Sequence, residues 1–172
     1  MVNYVKPFTS ERTSPCSNMQ RPCLTLNEYA CTSDEYFVNN TRFYFYPGIH
    51  RLEYSVNLVN LYNFSFLGWP NGDQVVTIAV DSSASITWNE SWNIEISSIK
   101  FSLYDNFTYI MRFEHSLLVQ LSNISIYGNW YTGCSSIRSE LEFKHSTFIG
   151  INGFVGAALM IYESNITFRG SI

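Results

Sequence analysis

Charge is scarce in this chain: 14% of its 172 residues are Asp, Glu, Lys or Arg, against 46% hydrophobic residues. That balance excludes whole-chain disorder, because the apolar content is enough to offset the entropy of ordering. Lys and Arg are scattered singly and the net charge is −4, so there is no basic footprint for nucleic acid. Long apolar runs are missing as well, and nothing approaches the ~20 residues a membrane-spanning helix needs. The four cysteines (16, 23, 31 and 134) fit no zinc spacing, since no second Cys/His pair lies near any of them. Gly150, Gly153 and Gly156 lack the following Lys-Ser/Thr and helix of a phosphate loop. The start, Met1 to Pro7, has no apolar segment of the kind a secretory leader carries.

Aromatic residues make up 17% of the chain, and its 13 Phe and 12 Tyr favour strands over helices. The length suits one domain. Ser116 to Gly128 reads as two short apolar strands, Leu117/Val119/Leu121 and Ile124/Ile126, broken at Ser122-Asn123. The same frame fits around Asn63, Ser98, His145 and Asn165, with successive spacings of 35, 25, 22 and 20 residues. In the last copy Glu163 stands where an apolar residue is expected.

Units of 20 to 25 residues holding two or three strands have the size of one solenoid coil, whereas a sandwich gives no reason for the alignment. The expected fold is an all-β, right-handed, single-stranded parallel β-helix of about five coils. Stacking the copies predicts three inward columns: Phe64/Ile99/Ile124/Ile166, Phe66/Phe101/Ile126/Phe148/Phe168 and Val59/Ile94/Val119/Leu141/Ile161.

Ahead of the strands, residues 1–24 read as an extended lead-in, with Cys16 and Cys23 as a small disulfide loop. Cys31 and Cys134 either pair or stay free. Thr25-Leu26-Asn27-Glu28 has capping-box form and opens a helix over 25–38 whose apolar stripe is Leu26, Tyr29, Ala30, Ser33, Tyr36 and Phe37. That helix is expected to cap the β-helix, which occupies 42–172.

Tyr4-Val5-Lys6-Pro7, the run Cys23-Leu24-Thr25-Leu26-Asn27-Glu28-Tyr29, Phe45-Tyr46-Pro47-Gly48-Ile49-His50-Arg51-Leu52 and Asn63-Phe64-Ser65-Phe66-Leu67-Gly68 carry a family resemblance. Together they resemble the extracellular right-handed parallel β-helix proteins of marine invertebrates, related in fold to the pectin-lyase superfamily. The resemblance implies a secreted or receptor-ectodomain module with no established activity. Similar proteins often carry cysteines at Val80 and just after Leu103, and neither is present here. Gly156 to Tyr162 resembles a coil that usually begins a longer run. The chain is therefore expected to be a fragment, preceded by a leader and followed by further coils.

Six Asn-x-Ser/Thr sequons, at Asn39, Asn63, Asn89, Asn106, Asn123 and Asn165, compare with about three expected by chance. They favour an extracellular glycoprotein, although the strand break itself writes Asn-apolar-Ser/Thr at several of them. No catalytic, cofactor-binding or metal-binding residue is assigned. Arg112-Phe113-Glu114-His115 is the densest polar cluster and reads as an outward strand face running into a turn. Glu140, Glu142 and Lys144 read as the solvent side of one strand, and Glu142 with Glu163 one coil on is too little for calcium. His50 and His145 read as hydrogen-bonding turn residues, and Cys134 as a loop cysteine without a basic partner. Tyr44, Tyr46, Trp69, Trp88, Trp92, Trp130 and Tyr131 are candidates for stacking on sugar rings.

The functional expectation is a non-enzymatic scaffold for adhesion or recognition of an extracellular protein or glycan, without cofactor. A carbohydrate-active enzyme whose catalytic coils lie beyond residue 172 is the alternative, and a plain spacer the third reading.

Overall fold

The computed structural model describes residues 1–7, 25–31, 37–69, 75–81, 83–103, 109–127, 133–149 and 158–171. The chain opens with β1 (Val2–Val5) and α1 (Leu26–Cys31), then β2 (Arg42–Phe45), β3 (Gly48–Leu52) and β4 (Val56–Val59). Next come β5 (Tyr62–Gly68), β6 (Val76–Val80), β7 (Ile86–Asn89), β8 (Trp92–Ser97), β9 (Lys100–Leu103) and β10 (Met111–Glu114). They are followed by β11 (Leu117–Ser122), β12 (Ser125–Tyr127), β13 (Cys134–Ile137), β14 (Glu140–Lys144), β15 (Thr147–Ile149), β16 (Leu159–Tyr162) and β17 (Asn165–Arg169).

Every strand pairs in parallel with the strand three elements away, or, for β1, with β2. The result is a solenoid with three long sides. Sheet A runs β1-β2-β5-β8-β11-β14-β17, sheet B runs β3-β6-β9-β12-β15 and sheet C runs β4-β7-β10-β13-β16. From β2 onward the chain visits A, B and C in turn, and the five strands of each shorter sheet match the five coils expected. A parallel stack of this kind must bury its inner faces, and alternate residues do so.

The inward columns of sheet A are Phe43/Phe66/Ile96/Leu121/Phe143/Phe168 and Phe64/Ile94/Val119/Leu141/Ile166. Sheet B contributes His50/Ile78/Phe101/Ile126/Phe148. Sheet C contributes Val56/Ile86/Met111/Cys134/Leu159 and Leu58/Trp88/Phe113/Ser136/Ile161.

Part of the expected column assignment is therefore corrected. Ile94/Val119/Leu141 and Phe101/Ile126/Phe148 do stack. Phe66 and Phe168 belong to sheet A whereas Phe148 belongs to sheet B, and Val59 is exposed on sheet C. The copies around Ser98, Asn123 and His145 are equivalent, because all three turn the chain from sheet A to sheet B with positive φ (57°, 51° and 49°). The copies around Asn63 and Asn165 match a different corner. There the strand that follows belongs to sheet A. Both corners are written as a polar residue ahead of an alternating apolar pair, which is why they looked alike.

A second series of left-handed residues, Asn60, Glu90, His115, Arg138 and Glu163, makes the corner from sheet C to sheet A. This explains Glu163: it occupies a corner and not a strand interior. A serine follows four of the five, and these serines form a ladder. The Ser139 hydroxyl accepts from the Ser116 amide (3.0 Å) and donates to the Ile137 carbonyl (2.8 Å). Ser116 receives the Ser91 amide and Ser164 the Ser139 amide in the same way. A corner amide that no strand can reach is thereby satisfied in each coil.

The first coil is covered by α1 and Phe37. Leu26 and Tyr29 are buried, Tyr29 meets Phe43 edge-on (5.1 Å), and Phe37 lies against Phe43, Phe64 and Phe66. The capping box forms as expected, with Glu28 accepting from the Thr25 amide (2.7 Å) and Thr25 from the Glu28 amide (3.4 Å). The helix spans 26–31, and Ser33 and Tyr36 lie outside the described residues. Val2 to Val5, read as part of the lead-in, instead extend sheet A as β1. At the other end the inward side chains of the last coil stand open, with Ile161 and Phe168 each half exposed.

Candidate binding face

The outer face of sheet A carries Arg42, Ser65, Glu95, Gln120, Glu142 and Thr167 in one register line, one residue per coil. Neighbouring positions are about 4.8 Å apart, so the line runs ~24 Å along the solenoid axis. At its N-terminal end lies a depression of about 530 Å³, lined by Met1, Val2, Asn40, Arg42, Asn63, Ser65, Asn93 and Glu95. A smaller one of about 200 Å³ lies farther along, among Leu118, Gln120, Glu140, Glu142, Thr167 and Arg169.

Three asparagines form the edge of the larger depression. Asn93 donates its carboxamide to Asn63, and Asn63 donates to Asn40 (2.9 Å). All three have positive φ, a conformation asparagine tolerates better than most residues, so the corner places the three amides above one another. Each carboxamide is both donor and acceptor, and the ladder leaves spare capacity of both kinds toward solvent.

Aromatic rings flank this floor. On one side Tyr62 and Trp92 stack (5.1 Å, 15°). On the other, Tyr4 stacks on Tyr44 (5.9 Å, 24°) and Tyr46 on Trp69 (5.1 Å, 8°). These rings lie against one another, and stacked neighbours present edges more than faces to a ligand. They are walls. The sugar-stacking expectation is thus corrected in form for Tyr44, Tyr46, Trp69 and Trp92. It is corrected outright for Trp88, which is fully buried and stacked on Phe113 (4.8 Å, 13°). Trp130 and Tyr131 lie outside the described residues.

Several titratable groups have settled partners. Glu142 sits between Lys144 (2.8 Å) and Arg169 (2.7 Å), and the Lys144 hydrogen bond, helped by both positive charges, holds its carboxyl below the ordinary range. Glu163 is held low by the Arg138 guanidinium (2.6 Å). Glu142 and Glu163 are on different parts of the coil, one on sheet A and one on a corner. Arg112 pairs with Glu114 and donates to Tyr109 (3.0 Å) beside buried Phe113, and His115 is a left-handed corner residue. That cluster is the outward strand face and turn read from sequence.

His50 is buried in the sheet B column with Nε2 on the Tyr46 carbonyl (2.7 Å). Burial drives its pKa down to about 4, partly offset by the Tyr46 and Lys6 carbonyls. His145 is a corner residue with φ 49°, as read. Cys134 is free and wholly buried as the first residue of β13, and burial pushes its thiol up. Its place in a strand corrects the loop position expected from the sequence. Cys16 and Cys23 lie outside the described residues.

Of the sequon asparagines, Asn39, Asn63, Asn123 and Asn165 are exposed, Asn89 is half-buried and Asn106 lies outside the described residues. Among the described residues no three His, Cys, Asp or Glu side chains gather as a metal site would require, and no helix is long and apolar enough to cross a membrane.

No family model and no curated protein matches the chain. Two solved structures are similar. One is a rhamnogalacturonan lyase, with TM-score 0.53 and 10% identity over 99% of this chain and 56% of its own. The other is a protein of Parabacteroides merdae assigned as a glycosyl hydrolase, with TM-score 0.45 and 11% identity over 86% of this chain and 88% of its own. This chain thus spans 56% of the lyase's length. The likeness to the lyase is one of fold, and it supports a pectin-lyase-like parallel β-helix.

Proposed function

We propose that this chain is a non-enzymatic extracellular β-helix module whose sheet A outer face recognises a glycan. The observation that carries the reading is the larger depression. It is a polar trough floored by Arg42, Ser65 and Glu95 and edged by the Asn40/Asn63/Asn93 ladder. Hydroxyl groups both donate and accept, as carboxamides do. The scaffold beneath is rigid, since every floor residue stands on a strand paired on both sides.

The enzymatic reading is the one to test against, because a protein of this fold is named a rhamnogalacturonan lyase. Glycoside hydrolysis needs one carboxyl held protonated opposite a second that is ionised. Glu95 and Glu142 are the carboxylates of this line, two coils apart. Glu142 is held ionised by two cations, and Glu95 is exposed without an apolar pocket around it. Glu142 is therefore unsuited to the acid's part in hydrolysis. The test is a polysaccharide panel, with and without calcium, scored for both binding and released reducing or unsaturated ends. Binding without turnover, weakened by Arg42→Ala and Trp92→Ala, is expected. Turnover that survives purification would overturn the proposal.

A further inference from the structure

We infer, resting on that glycan reading, that the ligand of sheet A is an uncharged hydroxyl-rich glycan and not a uronate polymer. The reason is the charge inventory of the face. Among the described residues its cationic side chains are Arg42, Lys144 and Arg169, and its anionic ones Glu95, Glu140 and Glu142, so they cancel.

A polymer with one carboxylate per ring needs a face of one sign to offset the water it gives up. Here two of the three cations are already taken by Glu142. In the larger depression Arg42, the remaining cationic side chain among the described residues, is matched by Glu95 two coils on, with Ser65 between them in the register line. Any uronate chain laid along the axis that reached Arg42 would bring its next carboxylates toward Glu95. At an exposed separation of ~5 Å one such like-charge contact weakens binding about fourfold.

The neutral alternative meets no such contact. Its hydroxyls face the three carboxamides, the Ser65 hydroxyl and the Gln120 amide, all of which donate and accept. The coil repeat of about 4.8 Å is close to one sugar ring of an extended chain, so successive rings can repeat the same contacts in successive coils.

Calorimetric titration of the whole chain with length-matched oligomers of glucose, mannose and galacturonic acid tests this. The neutral oligomers should bind with an affinity that stays within twofold on raising salt to about 0.5 M. The galacturonate should bind at least about fourfold more weakly, and Glu95→Gln should raise the galacturonate-to-neutral affinity ratio about fourfold. Galacturonate bound as tightly as the neutral chains or tighter, with affinity falling as salt rises, would overturn this inference and leave glycan recognition standing. No binding of any oligomer by the unmodified chain would overturn glycan recognition itself.

Discussion

Ser139→Ala isolates the contribution of the serine ladder to stability. Ser139 is 3% exposed and the Ser116 amide it accepts from is wholly buried. Removing the hydroxyl leaves that amide without a partner, in a corner where water has no access. The Ile137 carbonyl loses the Ser139 donor but keeps the His115 amide (2.9 Å), so only one group is orphaned. An orphaned buried amide costs ~1–3 kcal/mol. In a chain of this size each kcal/mol lowers Tm by about 2–4 °C.

Ser164→Ala is the matched control, since Ser164 makes the same two bonds (3.0 and 2.9 Å) in the open last coil. Water can replace its hydroxyl there, and the loss should stay below about 0.5 kcal/mol. Urea denaturation followed by circular dichroism reads both variants. Equal midpoint shifts, or an unchanged midpoint for Ser139→Ala, would refute the ladder as a source of stability.

Other perturbations have definite outcomes. Trp88→Ala removes the largest fully buried side chain among the described residues and its stack on Phe113, and should cost ~3–5 kcal/mol in denaturant titration, whereas Trp92→Ala at an exposed position should cost under ~1 kcal/mol. Gly68→Ala would place a Cβ 2.0 Å from the Ser98 carbonyl oxygen, so the corner must shift, and a loss of ~1–3 kcal/mol or failure to fold is expected on expression and melting. His50 has a folded pKa of about 4 against an unfolded 6.5, so the unfolded chain binds the extra proton first. Its contribution to stability is full above about pH 6.5, declines as pH falls through that value and levels off near pH 4, by up to ~3 kcal/mol. Denaturant midpoints for wild type and His50→Gln across pH 4–8 should converge at the acid end. Cys134 should resist thiol reagents in the native state and react after unfolding, as peptide mapping of the labelled protein will show.

Most of the architecture was legible because a solenoid repeats its physics. Alternating apolar residues at Val119/Leu121 and Leu141/Phe143 face inward as expected, in parallel register, whereas Leu117, expected with them, is exposed beside Trp92 because left-handed Leu118 breaks the alternation. What misled was the likeness of two corners. Asn63 and Asn123 both adopt left-handed φ before an apolar alternation, yet one enters sheet A and the other leaves it. Serine spacing carries part of the distinction: Ser91, Ser116, Ser139 and Ser164 recur at 25, 23 and 25 residues along the corner into sheet A, while Ser146 and Ser171 make a shorter ladder of the same kind at the corner out of it. Burial of Trp88 was also readable, since it shares strand parity with Ile86.

The candidate face was less legible. Asn40, Asn63 and Asn93 are 23 and 30 residues apart, so unequal loops hide their alignment until the coils are stacked. Nor does sequence reveal that the aromatic rings occupy one another's faces; that follows only from the register of Tyr62 on Trp92 and the stack of Tyr46 on Trp69.

The most direct test of glycan recognition on sheet A is amide chemical-shift mapping with an uncharged hexose oligomer. The account predicts perturbations concentrated at Asn40, Arg42, Asn63, Ser65, Asn93 and Glu95, with sheets B and C silent. Saturable perturbations on the outer faces of β3, β6 and β9 or of β4, β7 and β10, with sheet A unmoved, would contradict it.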